Sequence, residues 1–479
     1  DRSTPELSFA VRHFGAQAGV EVTASHNPSH DNGYKVYFSD GAQIVEPHAS
    51  GIIREVEAAQ DGASDAVPKS EGKVVRIGSE VDQAYREALQ ELVVEGEMLK
   101  REGAKLKVVF TPLHGTGIRI VPAMLKSVGV PVSIVPAQEK GDGRFPTVRS
   151  PNPENGEALA MGIELAKKEK ADLVVATDPD ADRMGVALRN AQGEYELITG
   201  NQIGSLLAAY RIDRMRARGW IQPGQEKSCC LIKTFVTTDL QKEMAESVGM
   251  KCVETLTGFK YIGEKLGIYE KQAGGRGAMG AEEWRRKRME RSTFFVFGGE
   301  ESYGYSGGDF VRDKDANGAV LMLVEAAAWA KSRGRNLLEE MDEIYRKHGL
   351  YWEKLGTLEM SGAEGARQIA RAVASYQEKP PEEWGGRRVV GVQDYEKGSH
   401  FDVDGVEIPK ERMLMFDLGE GFRVAVRASG TEPKMKCYFF GKRKVGTSED
   451  LEKAKRELSM ELEKLWEWTK KDAVARSKG

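Results

Sequence analysis

The chain has 479 residues, of which 40% are hydrophobic and 30% are charged, as is usual for a globular protein of several domains. The 70 basic and 74 acidic residues nearly balance, which argues against a protein held over its whole surface to nucleic acid or to a membrane. No run of about 18 apolar residues and no signal-peptide pattern occurs. The four cysteines have neither CxxC nor zinc-ligand spacing, so we predict a cytoplasmic protein in a reducing compartment.

The first three quarters of the chain alternate short strand-like runs with helical patterns, which is typical of α/β domains with mixed, largely parallel sheets. An early strand leads into the turn TASHNP, residues 23 to 28, where Asn-Pro is a turn signal. Further strands are predicted over 105–111, 132–135, 172–177, 229–233, 252–255 and 294–297, and helices over 118–128, 159–168, 238–248, 259–266 and 317–331.

The last part of the chain has a different pattern, with strands predicted over 387–392, 413–417, 421–426 and 435–440. An amphipathic helix over 448–469 follows, so this part predicts a small α+β domain. Residues 271–292 are rich in glycine and then in basic residues, and we expect a surface insertion there. The predicted domains are 1–96, 97–203, 204–346 and 347–479, arranged around a central cleft.

The stretch DPDADR places Asp178, Asp180 and Asp182 at alternate positions directly after a predicted buried strand. Carboxylates spaced in this way converge on a hard cation such as Mg²⁺, which prefers oxygen ligands. Acidic loops are often solvated surface, but α/β folds bind ligands at the carboxyl ends of their strands. The sequence therefore predicts a magnesium site on this loop.

The stretch RASGTEPK, residues 427 to 434, also follows a predicted strand. It offers a guanidinium group, two hydroxyls and a flexible glycine, which together suit a phosphate dianion, although a plain Ser-Gly turn is the alternative. The predicted phosphate-binding residues are Arg427, Ser429, Gly430 and Thr431.

Two nearby stretches offer groups that suit sugar hydroxyls. In GGEESYGY, residues 298 to 305, Glu300 and Ser302 can accept from and donate to hydroxyl groups. The following VRDKDAN stretch adds Lys314. Because adjacent acids on a loop usually face solvent, this signal is weak when taken alone.

Together, TASHNP, DPDADR, GEES and RASGTEP resemble the phosphoserine, metal, sugar and phosphate-binding loops of the α-D-phosphohexomutase superfamily of phosphoglucomutases and phosphomannomutases. TPLHGTG, SPNPEN and TGFKYIGEKL are most similar to the phosphoglucomutase branch that also includes phosphopentomutases. The resemblance covers essentially the whole chain and implies that Ser25 carries the phosphoryl group. It further implies that Ser25 and the three aspartates hold Mg²⁺, that Arg183 neutralises charge, and that Thr257, Gly258, Lys260, Glu300, Ser302 and Lys314 bind the sugar phosphate.

The resemblance implies an isomerase of carbohydrate metabolism that interconverts glucose 1-phosphate and glucose 6-phosphate through a hexose 1,6-bisphosphate. Mannose and pentose phosphates are alternative substrates, His26 and Lys35 are alternative bases, and a monomer and a dimer both remain possible. The family's first domain has a further strand and helix ahead of the phosphoserine loop, so the first domain of this chain is expected to be incomplete at its N-terminal side. GEES is followed here by SYGY, so the histidine that phosphomannomutases carry at that point has no counterpart.

A sugar phosphatase of the haloacid-dehalogenase type is the alternative from another class. It would use DPDAD and GDFVRD, residues 308 to 313, as its two aspartate motifs. That interpretation assigns no role to TASHNP or RASGTEPK, and position 182 is Asp where that family has Thr or Val.

Overall fold

The computed structural model describes residues 1–59, 72–428, 434–446 and 450–478. The helices in these ranges are α1 (Thr4–Phe14), α2 (His48–Ala59), α3 (Ser79–Leu89), α4 (Gly96–Gly103), α5 (Val121–Ser127), α6 (Pro136–Glu139), α7 (Gly156–Glu169), α8 (Gly200–Ala217), α9 (Leu240–Glu246), α10 (Phe259–Ala273), α11 (Ala281–Arg291), α12 (Ala316–Ser332), α13 (Leu337–His348), α14 (Gly362–Glu378) and α15 (Leu451–Ser477).

The strands alternate with these helices over most of the chain. They are β1 (Ala18–Val22), β2 (Tyr34–Phe38), β3 (Val108–Thr111), β4 (Val132–Ile134), β5 (Leu173–Thr177), β6 (Met184–Arg189), β7 (Tyr195–Ile198), β8 (Cys229–Thr234), β9 (Lys251–Thr255), β10 (Phe294–Glu300), β11 (Gly304–Ser306), β12 (Leu350–Glu359), β13 (Glu383–Trp384), β14 (Arg387–Arg388), β15 (Gly391–Asp394), β16 (His400–Phe401), β17 (Glu407–Ile408), β18 (Met413–Asp417), β19 (Phe422–Ala428) and β20 (Lys434–Arg443).

The chain divides into two compact units, residues 1–232 with 258–337, and residues 233–257 with 338–479. Unit one contains a five-stranded sheet in the order β4-β3-β5-β6-β7. Strands β3, β4 and β5 are parallel, whereas β5, β6 and β7 are antiparallel, which confirms a mixed sheet with parallel strands. Residues 178–183 join β5 to β6 as a short hairpin loop, and so short a connection permits only antiparallel pairing.

The core of this sheet explains why its strands read as continuous apolar runs. Every residue of β5 is buried, and α7 packs on one face of the sheet through Ala158, Leu159 and Ala166. A parallel strand covered in this way has no solvent face, so its sequence does not alternate. The loop that follows β5 is consequently held on a rigid support.

Unit one also contains the hairpin β10-β11, in which Glu300 pairs with Gly304. The chain then enters α12, a helix buried along nearly its whole length, with the Asp315 carboxylate accepting the Gly318 N–H at its N-terminus. Strands β1 and β2 form an antiparallel pair in which Glu21 is opposite Lys35. The loops that follow β1, β5 and β10 carry the side chains described below.

Unit two contains an antiparallel sheet in the order β12-β20-β19-β18-β15, with α14 and α15 packed against it. This combination confirms the predicted α+β character. The strand predicted over 387–392 is wrong in detail, because β14 pairs with β13 while β15 pairs with β18. Two partners in different sheets divide what the sequence presents as one strand.

The stretch predicted as a surface insertion, residues 271–292, contains helix α11, and most residues of this helix are exposed or half-buried. Its Trp284 and Arg288 side chains are buried, however, and both donate to the Asp309 carboxylate, at 3.0 and 2.9 Å. This partly buried carboxylate therefore pairs with part of the positive charge that the sequence displays. In the described ranges no helix is both long enough and apolar enough to cross a bilayer.

Candidate active site

Ser25 lies in the connection between β1 and β2, inside unit one. Its backbone has φ 53°, a left-handed conformation that is uncommon for a residue with a side chain. The Ser25 N–H donates to the Thr23 hydroxyl at 2.8 Å, which helps to fix this turn. Strained backbone of this kind is concentrated at functional sites, because the surrounding structure must hold it in place.

Three groups surround the Ser25 hydroxyl. Arg183 donates to it from Nη1 at 2.9 Å, and the Asp178 Oδ2 atom lies 3.3 Å away. The His26 Nδ1 atom lies 3.2 Å from the same oxygen and also contacts the Arg183 guanidinium. The serine oxygen is thus placed between a carboxylate, a cation and an imidazole ring.

Asp178, Asp180 and Asp182 are buried, and each offers a carboxylate oxygen within 4.8 Å of the others. The other Asp178 oxygen accepts the N–H groups of Asp182 and Arg183, at 3.0 and 2.9 Å. Ala181, at φ 52°, turns the loop so that alternate side chains share one side. The predicted carboxylate cluster therefore exists and lies beside the serine.

The donor set of this cluster fits a hard cation. One oxygen of Asp180 and one of Asp182 are buried and have no hydrogen-bond partner among the described residues. The Lys35 ammonium lies 2.9 Å from Asp180 and 2.6 Å from Asp182, and the Lys314 ammonium lies 3.1 Å from Asp182. Buried carboxylates with unused oxygens are the ligands that Mg²⁺ binds in proteins.

Protonation in the cluster follows burial and the nearest charges. Burial opposes the charged form of Asp182, but Lys314, Lys35 and Arg183 outweigh it and hold the Asp182 pKa well below its usual range. Burial and the two neighbouring carboxylates raise the pKa of Asp178.

The two residues predicted as alternative bases differ in charge. Burial lowers the pKa of His26 to about 4, with a further contribution from Arg183, so the ring is neutral at pH 7. Burial also opposes the charge on Lys35, but Asp182 and Asp180 outweigh it and raise the Lys35 pKa, so this side chain is an ammonium.

The GEES stretch begins in the last two residues of β10, continues into the turn before β11 and lies close to Arg183. Its Ser302 carbonyl accepts from Arg183 Nε at 3.2 Å, and Tyr303 has a left-handed φ of 66°. Burial raises the pKa of Glu300, whose carboxylate accepts the Gly258 N–H at 2.8 Å. The sugar loop predicted from the sequence is therefore connected to the serine through one arginine.

The structure brings Ser25, His26, Lys35, Arg183, Lys314 and the three aspartates into one cluster in unit one. The remaining predicted residues have the contacts given below. Gly258 reaches Glu300, whereas the Lys260 ammonium lies over the Tyr261 ring, 5.1 Å from its centroid. Thr257 and Arg427 belong to unit two, where Arg427 forms an ion pair with Glu411. Three predicted phosphate-binding residues, Ser429, Gly430 and Thr431, lie outside the described residues.

Several residues that support the site have no role predicted from the sequence. The hydroxyls of Thr4 and Thr23 donate to Asp180 at 3.0 and 3.1 Å, and the Ser150 hydroxyl donates to the His26 carbonyl at 2.9 Å. Glu21 lies beside them, and burial together with Asp180 raises its pKa to about 8. Thr4 and Glu21 are single polar residues without spacing or repetition, whereas Thr23 belongs to TASHNP and Ser150 to SPNPEN, two motifs that the sequence does show.

The TPLHGTG loop at the end of β3 packs against the aspartate loop at Pro179. Thr116 donates its N–H and its hydroxyl to the Pro179 carbonyl, at 2.7 and 2.9 Å. A Cβ atom on Gly115 would lie 2.3 Å from the Pro179 Cα atom, so only glycine allows this approach. The His114 ring lies 2.9 Å from the Thr147 hydroxyl and 3.1 Å from the Lys140 carbonyl, which holds the loop in place.

Family models match most of the chain. Residues 2–63, 83–193 and 199–348 match α/β/α domains I, II and III, respectively, of phosphoglucomutase/phosphomannomutase. The fold and the carboxylate cluster beside a serine are typical of a phosphomutase, an isomerase that moves a phosphoryl group within its substrate. The chain belongs to the phosphoglucomutase/phosphomannomutase family, which confirms the membership predicted from its loops.

A curated relative supports this assignment, and two solved structures share the fold. A phosphoglucomutase of Staphylococcus aureus (strain MRSA252) is 35% identical over 446 residues, which cover 91% of this chain and 75% of the relative. The open form of pp63/parafusin, a phosphoglucomutase from Paramecium, has a TM-score of 0.66 at 18% identity and covers 98% of this chain and 81% of its own. An Aspergillus fumigatus N-acetylphosphoglucosamine mutase variant in complex with glucose 1,6-bisphosphate has a TM-score of 0.50 at 13% identity, with 99% and 92% covered.

Proposed function

We propose that this protein interconverts glucose 1-phosphate and glucose 6-phosphate by way of a phosphorylated Ser25. The observation that supports it most directly is the Ser25 hydroxyl, 3.3 Å from a buried aspartate of the cluster and 2.9 Å from Arg183. A serine that carries a phosphoryl group needs positive charge nearby, because phosphoryl transfer depends on positioning and charge neutralisation. The S. aureus relative, which is 35% identical, is a phosphoglucomutase, and this favours glucose phosphate over mannose and pentose phosphates.

Asp178, Asp180 and Asp182 would hold Mg²⁺ together with the phosphorylated Ser25. When bound there, the ion would supply positive charge beside the transferring phosphoryl group. The Arg183 guanidinium supplies a second positive charge, which is permanent and lies beside the serine oxygen. The Lys35 and Lys314 ammonium groups compensate the negative charge of Asp182.

In the first step, a sugar hydroxyl takes the phosphoryl group from Ser25, which gives a hexose 1,6-bisphosphate and a free serine. We assign the transfer of that proton to His26, because its ring is neutral while Lys35 is held as an ammonium: the ring takes the proton from the sugar hydroxyl and passes it to the departing Ser25 oxygen. In the second step, Ser25 takes the other phosphoryl group back, and the serine proton passes through His26 to the sugar oxygen that leaves. The reaction therefore balances without a water molecule or a second substrate.

The sugar loop and the second phosphate site complete the proposal. Glu300 and Ser302 would bind sugar hydroxyls, and Thr257, Gly258, Lys260 and Lys314 would also bind the sugar phosphate. Arg427, Ser429, Gly430 and Thr431 would hold the phosphate that does not react, since a guanidinium group and hydroxyls suit a dianion. A cytoplasmic location is part of the proposal, in keeping with four cysteines that are all free thiols.

The first experiment tests Ser25. Mass spectrometry of the purified protein is expected to find a phosphoryl group on Ser25, and Ser25→Ala should abolish conversion of glucose 1-phosphate in the presence of Mg²⁺ and a trace of glucose 1,6-bisphosphate. Ser29→Ala, an exposed position in the same loop, is the control and should keep full activity. Full turnover by Ser25→Ala would refute the mechanism.

A second assay tests the substrate and the reaction class. Glucose 1-phosphate, mannose 1-phosphate and ribose 1-phosphate are compared at equal concentration, with inorganic phosphate measured in parallel. Faster turnover of glucose 1-phosphate without phosphate release supports the proposal. Release of inorganic phosphate as the main product would instead support the phosphatase alternative.

A further inference from the structure

The VRDKDAN stretch carries two aspartates, Asp313 and Asp315, outside the carboxylate cluster, and Asp313 Oδ1 lies 3.7 Å from the Lys314 ammonium. Asp313 accepts the Tyr37 hydroxyl at 2.7 Å and the Gln43 amide at 2.6 Å on one oxygen, and the Lys314 N–H at 2.8 Å on the other. Lys314 lies between these contacts and the cluster. The phenol of Tyr37 is therefore linked to the backbone of Lys314 through one carboxylate.

Burial makes this link firm. Tyr37 is completely buried and Asp313 is 1% exposed. Burial and the Asp313 carboxylate raise the pKa of Tyr37 well above its ordinary value, so the phenol keeps its proton and donates at neutral pH. A buried donor and acceptor of this kind resist separation, because each would lose its partner without gaining water.

The Lys314 side chain has little freedom once its backbone is fixed. A Cβ atom on Gly304 would lie 2.2 Å from the Lys314 Cδ atom, so the aliphatic chain lies flat against β11. The ammonium at its end lies 3.1 Å from Asp182. A small rotation of the backbone at Lys314 would move this ammonium away from the carboxylate.

The other side of the loop is anchored in a similar way. Asp315 accepts the Tyr85 hydroxyl at 2.6 Å, and the Asp315 N–H donates to the Tyr305 carbonyl at 2.8 Å. The next N–H, that of Ala316, donates to the Ala181 carbonyl inside the aspartate loop at 3.2 Å. The end of the loop after Lys314 is thus tied to the cluster itself, and the Tyr37–Asp313 pair controls the end before it.

We propose that Tyr37 is a positioning residue of the active site, which holds Lys314 against Asp182 through Asp313. Its effect on catalysis rests on the proposed function, in which Lys314 compensates the carboxylates and meets the sugar phosphate. Tyr37 contacts none of the reacting groups itself. Its hydroxyl acts on the reaction only through the lysine.

A double-mutant cycle separates positioning from a general structural role. Tyr37→Phe removes the hydroxyl and keeps the ring, and we expect kcat/KM for glucose 1-phosphate to fall about tenfold, as for loss of a hydrogen bond to a charged group. In the Lys314→Met background the same change should have no further effect, since the group that Tyr37 positions is gone. Tyr210→Phe is the control and should leave kcat/KM unchanged, because its buried hydroxyl has no hydrogen-bond partner among the described residues.

Equal losses from Tyr37→Phe in both backgrounds would overturn the inference, and so would the absence of any loss in the wild-type background. A crystal structure of the Tyr37→Phe variant provides a test without activity: the Lys314 ammonium should move out of contact with Asp182, and an unchanged 3.1 Å contact would overturn the inference. A wild-type protein without mutase activity would refute the proposed function, while this structural test would still decide the role of Tyr37.

Discussion

Gly115 offers a direct way to disturb the aspartate loop without touching an aspartate. Its backbone, at φ −107°, suits any residue, so alanine adds only a methyl group and no backbone strain. That methyl group would lie 2.3 Å from the Pro179 Cα atom and 2.5 Å from the Pro179 carbonyl oxygen. Pro179 is the residue between Asp178 and Asp180, so any displacement reaches two members of the cluster.

The size of the effect follows from the overlap. Ordinary van der Waals contact begins at 3.4 Å, so the two loops must separate at this point. A displacement of about 1 Å at a reacting group costs roughly 100-fold in rate. We therefore expect Gly115→Ala to lower kcat by about two orders of magnitude. The MgCl₂ concentration that gives half-maximal activity should also rise, because carboxylates that no longer converge bind the ion more weakly.

The assay measures glucose 1-phosphate turnover over a range of MgCl₂ concentrations, together with the midpoint of thermal unfolding. Gly143→Ala is the matched control, because nothing lies within 4 Å of a Cβ atom at that position, and it should behave as wild type. A Gly115→Ala variant with wild-type kcat and wild-type Mg²⁺ dependence would show that contact with Pro179 does not position the cluster.

Two further predictions concern stability. The buried Glu325 carboxyl accepts the Val94 N–H at 2.8 Å, and burial raises its pKa from 4.5 to about 7. The folded protein therefore favours the protonated carboxyl, and this stabilisation is fully present below pH 4.5. It is lost as the pH rises through 7. Glu325→Gln should therefore be more stable than wild type by about 3 kcal/mol at pH 8 and equal to it at pH 4, as measured by urea unfolding, and identical pH profiles would contradict the argument. Arg288→Met removes the buried partner of the partly buried Asp309 carboxylate and should cost about 2 to 3 kcal/mol, whereas Arg286→Met, on the exposed side of the same helix, should cost less than about 0.5 kcal/mol. Similar unfolding midpoints for these two variants would show that the buried ion pair contributes nothing.

The sequence by itself determined the chemistry of the loops and the class of the fold. DPDADR lies after β5 and GEES at the end of β10, and a short segment at the end of a buried strand keeps its chemical character whatever the strand pairs with. The family follows from the same loops, because their residue types are dictated by phosphate, metal and sugar and not by packing. Apolar runs and helical periodicity were enough to place most strands and helices, since both depend on local spacing.

Only the tertiary structure decided which side chains meet. The Tyr37 hydroxyl and the Asp313 carboxylate are separated by 276 positions in the chain, and no local pattern connects them. Strand β6 turns back on β5, which brings Arg183 to Ser25 and to the carbonyl of Ser302. The charge of His26 and of Lys35 depends on which groups exclude water from them, and burial of that kind is a property of the folded protein.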